Sequence, residues 1–169
     1  MRLLLSLRAA LAIAAGLVLT FVQSHSSLLG LFTFAGFAAV SAILVPLASL
    51  LFARANFLES LAQGAVNAIA AIFSWFMATN ADQTIQSLLW CVSSWAVIIA
   101  VLELYFAKKQ LKASAGSKER NISATLALLL AIAYLVIGFD ETSSVGLLSA
   151  YLVLSGVHLG ISAASETAK

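Results

Sequence analysis

The chain has 169 residues, 62% of them hydrophobic and 9% charged, with a formal net charge of +2, whereas a soluble domain carries about 25% charged residues. Nine Lys and Arg with seven Asp and Glu cannot coat a globule of 17.7 kDa, so the chain reads as an integral membrane protein. The same arithmetic excludes a disordered chain, a nucleic-acid binder and a disulfide-stapled module, since Cys91 is the one cysteine.

A bilayer core of about 30 Å asks for roughly 20 apolar residues in helix. Residues 3–22 meet this first. Arg2 and Arg8 before that run also fit a signal peptide, but the run is long for one and no small-x-small cleavage site follows. The second span is 28–53, where Pro46 removes a backbone bond to Ala42 and bends the helix near its end. The third, 57–78, carries Glu59, Gln63 and Asn67 at i, i+4 spacing, which places all three on one face. At about 1.5 Å per residue that stripe descends from the interface to near the bilayer midplane. The fourth span, 84–107, holds Cys91 and ends near Glu103. Lys108, Lys109, Lys112, Lys118 and Arg120 then read as a flexible basic loop that can touch anionic headgroups. Asn121 is expected to cap the fifth span, 122–139. Asn121-Ile122-Ser123 also matches a glycosylation acceptor, on the side assigned below to the cytoplasm. The sixth span, 145–164, sets His158 between Gly156 and Gly160, a small-residue ridge that lets another helix approach closely.

With so little chain between spans, consecutive helices are expected to form tight antiparallel hairpins. The fold class is all-α: one transmembrane domain of six helices, built from hairpins 1–54, 55–112 and 118–169. For six spans every Lys and Arg, from Arg2, Arg8 and Arg54 to Lys169, falls on one side, and basic residues stay cytoplasmic. Both termini, Met1 and Lys169, are therefore expected in the cytoplasm. The hairpins also look alike. Their first helices share Ala12-Ile13-Ala14, Ala68-Ile69-Ala70 and Ala131-Ile132-Ala133. Their second helices align as 37–43, 95–101 and 151–157, opening on Phe37, Trp95 and Tyr151. Three repeats of two spans share one orientation and suit a pseudo-threefold about the membrane normal, unlike inverted repeats.

The run Arg8-Ala9-Ala10-Leu11-Ala12-Ile13-Ala14-Ala15-Gly16 resembles the HdeD-like acid-resistance membrane proteins. So do Trp95 with Val101-Leu102-Glu103-Leu104, and Ala150-Tyr151 with Ser155-Gly156-Val157. Gln23-Ser24-His25 departs from that family, which leads to an expected proline after the first span. The resemblance implies a six-span protein of the bacterial inner membrane, associated with acid stress, and it supplies no catalytic residues.

Polar side chains in hydrocarbon are costly, about 2.5 to 3.5 kcal/mol for a central charge. Glu59, Gln63, Asn67, Glu103 and His158 are candidates for one polar pocket open to the cytoplasm, binding a proton, a small polar ligand or a lipid headgroup. The alternative is interhelical glue, with the amides bonding neighbouring helices and the glutamates beside Arg54 and Lys108. His158 reads either as a bonded core residue or as a titrating one. On the opposite side His25, Asp82, Asp140 and Glu141 sit at the hairpin tips, as a pH-sensitive cap or as solvated loops.

No zinc-ligand pair, phosphate loop or Gly-x-Ser-x-Gly stands in the chain, and Ser155 with His158 lacks a visible third group. The expectation is a protein that is not an enzyme and holds no cofactor or metal. Its role is expected to be structural or stress-protective in the plasma membrane, as an accessory subunit with a membrane-protein partner or as a homo-oligomer. The alternative is a small transporter or channel using the stripe on the third span.

Overall fold

The structure, a computed structural model, describes residues 2–52, 56–80, 85–110, 115–136 and 140–165. These form α1 (Arg2–Phe21), α2 (Ser27–Phe52), α3 (Phe57–Thr79), α4 (Ile85–Lys109), α5 (Ala115–Val136) and α6 (Glu141–Ser165), with no strand among the described residues. All six are long and apolar enough to cross a membrane. Their outward faces carry Leu58, Ile69, Ile72 and Val136, each more than two-thirds exposed, as a surface in contact with lipid tails requires.

Two helix boundaries differ from expectation. Helix α5 starts at Ala115, so Lys118, Arg120 and Asn121 are helical rather than looped. Asn121 is not a cap: it is exposed and its carbonyl accepts from Thr125 Oγ1 at 2.8 Å. Hydropathy marks where a helix enters lipid, not where it begins, and Lys, Glu and Arg are good helix formers. Helix α6 starts at Glu141, with Asp140 as its cap. The Asp140 carboxylate accepts from Ser143 N at 3.3 Å, and its carbonyl accepts from Ser144 N at 3.0 Å. Such a cap satisfies amides that otherwise lack partners in the first turn.

Side-chain bonds fix the up-and-down order. Arg8 of α1, Glu59 of α3, Glu103 of α4 and Arg120 of α5 meet at one end. At the other, Ser27 Oγ of α2 donates to Glu141 Oε1 of α6 at 2.8 Å. Tyr134 of α5 donates to the Ser144 carbonyl of α6 at 2.5 Å. The first is called the basic end below, the second the tip end. Arg54, Lys112, Met1 and Lys169 lie outside the described residues.

Consecutive helices do touch, but the most extensive interfaces are α2 with α3, α4 with α5, and α6 with α1, while α2, α4 and α6 also meet one another. Close packing thus runs between the expected hairpins rather than within them. Glycine explains part of this. A Cβ on Gly16 would fall 2.7 Å from Val153 Cγ2, and one on Gly156 would fall 2.6 Å from Ile13 Cγ1 and 2.9 Å from the Ala9 carbonyl. In the α2/α3 interface, a Cβ on Gly64 would lie 2.5 Å from Pro46 Cγ and 3.0 Å from the Ala42 carbonyl, the oxygen that Pro46 leaves without a helical donor. Gly160 is not part of the ridge in this sense, because its nearest neighbour would be Ala9 Cβ at 3.9 Å. Ser149 and Thr20 add hydrogen bonds to the Gly16 carbonyl, at 2.8 and 2.9 Å.

The core is aromatic at its centre. Trp95 packs edge-on against Phe34 at 5.2 Å, Phe37 at 6.2 Å and Tyr151 at 6.0 Å between ring centroids, a geometry that is favourable by about 0.5–1.5 kcal/mol per pair beyond burial.

Candidate functional site

Three of the five residues proposed for a polar pocket, Glu59, Gln63 and Glu103, join one network at the basic end, and Asn67 lies one turn deeper on α3. Glu59, Gln63 and Asn67 share one face of α3, and Gln63 and Asn67 are only 5% and 7% exposed. Gln63 Nε2 donates to Glu103 Oε1 at 2.6 Å. The other Glu103 oxygen accepts from Arg120 Nη1 at 3.0 Å, while Arg120 Nη2 donates to Glu59 Oε2 at 2.7 Å. Arg120 also stands 5.3 Å over the Phe106 ring, a cation–π contact. Taking an ion out of water costs several kcal/mol, offset only where partners and extra hydrogen bonds satisfy it. Glu103 meets that condition on both oxygens; Arg120 Nε stays unpartnered.

Arg8 completes the group differently. Its Nη2 stands 3.6 Å from Glu103 Oε1, beyond hydrogen-bond distance, and its side chain is 25% exposed. Two arginines and two glutamates therefore share the basic end, and their charges cancel.

Beside them lies a cavity of about 60 Å³ bordered by all six helices. From α2 it takes Phe37, Ser41 and Val45, from α4 Trp95, Ile99 and Glu103, and from α6 Tyr151, Ser155 and Leu159. Each set follows i, i+4, i+8 spacing, which keeps it on one helix face. Arg8, Ala12, Gln63, Asn67 and Ser123 fill the gaps from α1, α3 and α5. Trp95 Nε1 donates to Asn67 Oδ1 at 2.8 Å, fixing the carboxamide and leaving its Nδ2 as an unused donor. The rings of Phe37, Trp95 and Tyr151, which open the aligned segments of α2, α4 and α6, border it together on the tip side. At about 15 Å³ per water-sized group, the space takes about four such groups.

No family model, curated protein or solved structure matches the chain. The site is therefore read from its own chemistry.

His158 is not part of it. Its Nε2 lies 3.3 Å from the Glu119 carbonyl of α5, and the face of α6 toward the cavity carries positions 151, 155 and 159. One residue before Leu159, His158 is turned by about 100° from it. Arg8 and Arg120, in contrast, are cavity and network residues that the sequence reading did not place among the pocket candidates. A signal was present for Arg8: an arginine two turns inside an apolar helix needs a counter-charge.

At the tip end Glu141 bonds Ser27, whereas Asp140 is spent on the α6 cap. The bonds from Ser143 hold the Asp140 carboxyl below the usual carboxylate range. His25 is half-buried against Gly146, Ser149 and Val153 of α6, and no ion pair joins it to a carboxylate among the described residues. Asp82 lies outside the described residues. Among the described residues no ion pair or hydrogen bond joins His25 to Asp140 or Glu141.

Proposed function

We propose that this multi-pass membrane protein binds a small polar solute inside the bilayer and passes it as a small transporter does, with the six-helix cavity as its site. One observation carries the reading: Ser41, Gln63, Asn67 and Ser123 border one cavity, and no hydrogen bond among the described residues takes up the Ser41 and Ser123 hydroxyls, the Asn67 Nδ2 or the Gln63 Oε1. Polar groups in a membrane bundle are ordinarily bonded to one another, so a set left open toward a common space suits a polar guest. The basic end faces the cytoplasm in this reading, because short loops retain Lys and Arg on that side, and the membrane is the bacterial plasma membrane. The aromatic floor closes the resting path toward the tip end. No residue is assigned a catalytic role and no cofactor is required.

Proteoliposomes holding the full chain test it. Entry of urea or glycine, followed by light scattering after an osmotic step, should exceed that of protein-free vesicles and fall on Asn67→Leu. Equal rates with and without protein would end the reading. Sidedness is checked by single cysteines at exposed Gln23 and Lys118: an impermeant reagent outside intact cells should label Gln23→Cys and spare Lys118→Cys.

A second reading has its own support. Both glutamates are bonded to Arg120, as interhelical glue would be, and this suits a structural or stress-protective accessory subunit related to the HdeD-like proteins. That reading expects no flux, a co-purifying membrane partner, and survival of acid shock that drops when the chain is deleted.

A further inference from the structure

The charges around the cavity are already balanced. Arg120 spends Nη1 and Nη2 on Glu103 and Glu59, and Glu103 has one oxygen on Arg120 and the other on Gln63. Arg8 is different. It borders the cavity, its approach to Glu103 is 3.6 Å, and its guanidinium makes no hydrogen bond among the described residues. A guanidinium offers five N–H donors in a planar fork that suits a carboxylate or carbonyl oxygen. Arg8 is therefore the cavity-lining cation with donors left to give.

We propose that the cavity selects small solutes of no net charge that present a strong acceptor group to Arg8. The proposal rests on the solute-binding reading above and names its substrate class. Two arginines and two glutamates sum to zero, so an anion in the cavity would leave one uncompensated negative charge among buried groups, and a cation one positive charge. Either is disfavoured in a bundle surrounded by lipid, where an unpaired charge has little water to solvate it. A dipolar molecule leaves the sum at zero. Its acceptor end meets Arg8, and its other end meets groups without formal charge: the Ser41 and Ser155 hydroxyls, the Gln63 carboxamide oxygen and the rings of Trp95 and Tyr151. Hydroxyl and carboxamide oxygens accept from an N–H, and aromatic faces tolerate an ammonium. Size adds a limit, since 60 Å³ admits about four or five non-hydrogen atoms. Two chemistries share this description, a zwitterion with ammonium and carboxylate and a neutral amide such as a urea.

The test uses the full chain in lipid nanodiscs and equilibrium binding of four radiolabelled probes: glycine, urea, acetate and methylammonium. Glycine or urea should be retained at least about tenfold more strongly than either ion, and the stronger of the two names the chemistry. Arg8→Gln should lower that retention at least about tenfold, as loss of a charged hydrogen-bond partner does, with Arg8→Lys keeping part of it and Lys118→Gln all of it. Folding of the variants is followed by near-ultraviolet circular dichroism. If Arg8→Gln does not fold, Arg8→Lys against wild type carries the comparison. Retention of acetate or methylammonium equal to that of the neutral probes overturns the charge rule, as does indifference to Arg8, while solute entry into proteoliposomes would still stand. Failure of all four probes together with absent solute entry removes the solute-binding reading itself.

Discussion

Replacing Arg120 with glutamine removes the cation that holds two carboxylates on two different helices. Glu103 is only 3% exposed and Glu59 15%, so neither recovers full hydration when the guanidinium goes. Breaking a buried pair from one side costs about 3–5 kcal/mol, because the remaining charge stays desolvated. Two features set where in that range the loss falls. Gln63 still donates to Glu103 Oε1, and Arg8, already 3.6 Å away, can move in as a substitute cation. The expected loss for Arg120→Gln is therefore near the lower figure, about 3 kcal/mol. Adding Glu103→Gln removes the more deeply buried of the two orphaned anions and should return part of that loss, Glu59 still lacking its cation. Reversible unfolding in mixed detergent and lipid, followed through tryptophan emission, measures all three species. A loss under about 1 kcal/mol for Arg120→Gln, or a double variant weaker than the single one, would refute the claim that these ions are buried and mutually dependent.

Four further outcomes follow from particular distances. Gly156→Ala and Gly64→Ala should each destabilise by about 1–3 kcal/mol in the same unfolding assay, since the new methyl meets backbone carbonyls that cannot retreat. Gly160→Ala and Gly36→Ala should be neutral or stabilising by up to about 1 kcal/mol through helix propensity, because the former meets only Ala9 Cβ at 3.9 Å and the latter nothing within 4 Å. Trp95→Phe keeps the aromatic floor but removes the donor to Asn67; a loss of about 0.5–1.5 kcal/mol is expected, together with altered solute entry. Asp140, whose folded-state carboxyl lies below its ordinary value of 3.8, stabilises the fold above that value, and its contribution is lost as pH falls through the lower folded-state value. Asp140→Asn should flatten that acid limb of the thermal midpoint against pH, and an unchanged limb would show that the cap does not titrate there.

The six helices were legible because crossing lipid imposes both a length and an apolar composition, and neither depends on tertiary contacts. The α3 stripe was legible for a related reason: Glu59, Gln63 and Asn67 are costly in oil, so their common face demands a partner. What lay beyond reach was the partner. Arg120 and Arg8 had a sufficient explanation in membrane orientation, and a residue already explained for one reason hides a second. The start of α5 was missed because its first turns are polar yet helical, and polarity there reads as a loop. Gly16 matters more for close packing than Gly160, and only their neighbours across the α1/α6 interface, Val153 Cγ2 for Gly16 and the more distant Ala9 Cβ for Gly160, distinguish the two. Phe37, Trp95 and Tyr151 stood out as aligned aromatics, but their meeting at one depth depends on how α2, α4 and α6 face each other.

The α1/α6 interface bears on biogenesis. Gly16 receives a hydrogen bond from Ser149, 133 positions downstream, so α1 leaves the ribosome well before α6 and waits for it before its principal partner exists. During that interval its glycine-lined groove faces lipid or the insertion machinery. A nascent chain stopped before α6 would be expected to linger in the care of a membrane chaperone rather than settle, which makes the arrival of α6 the step that commits α1 to its packed place.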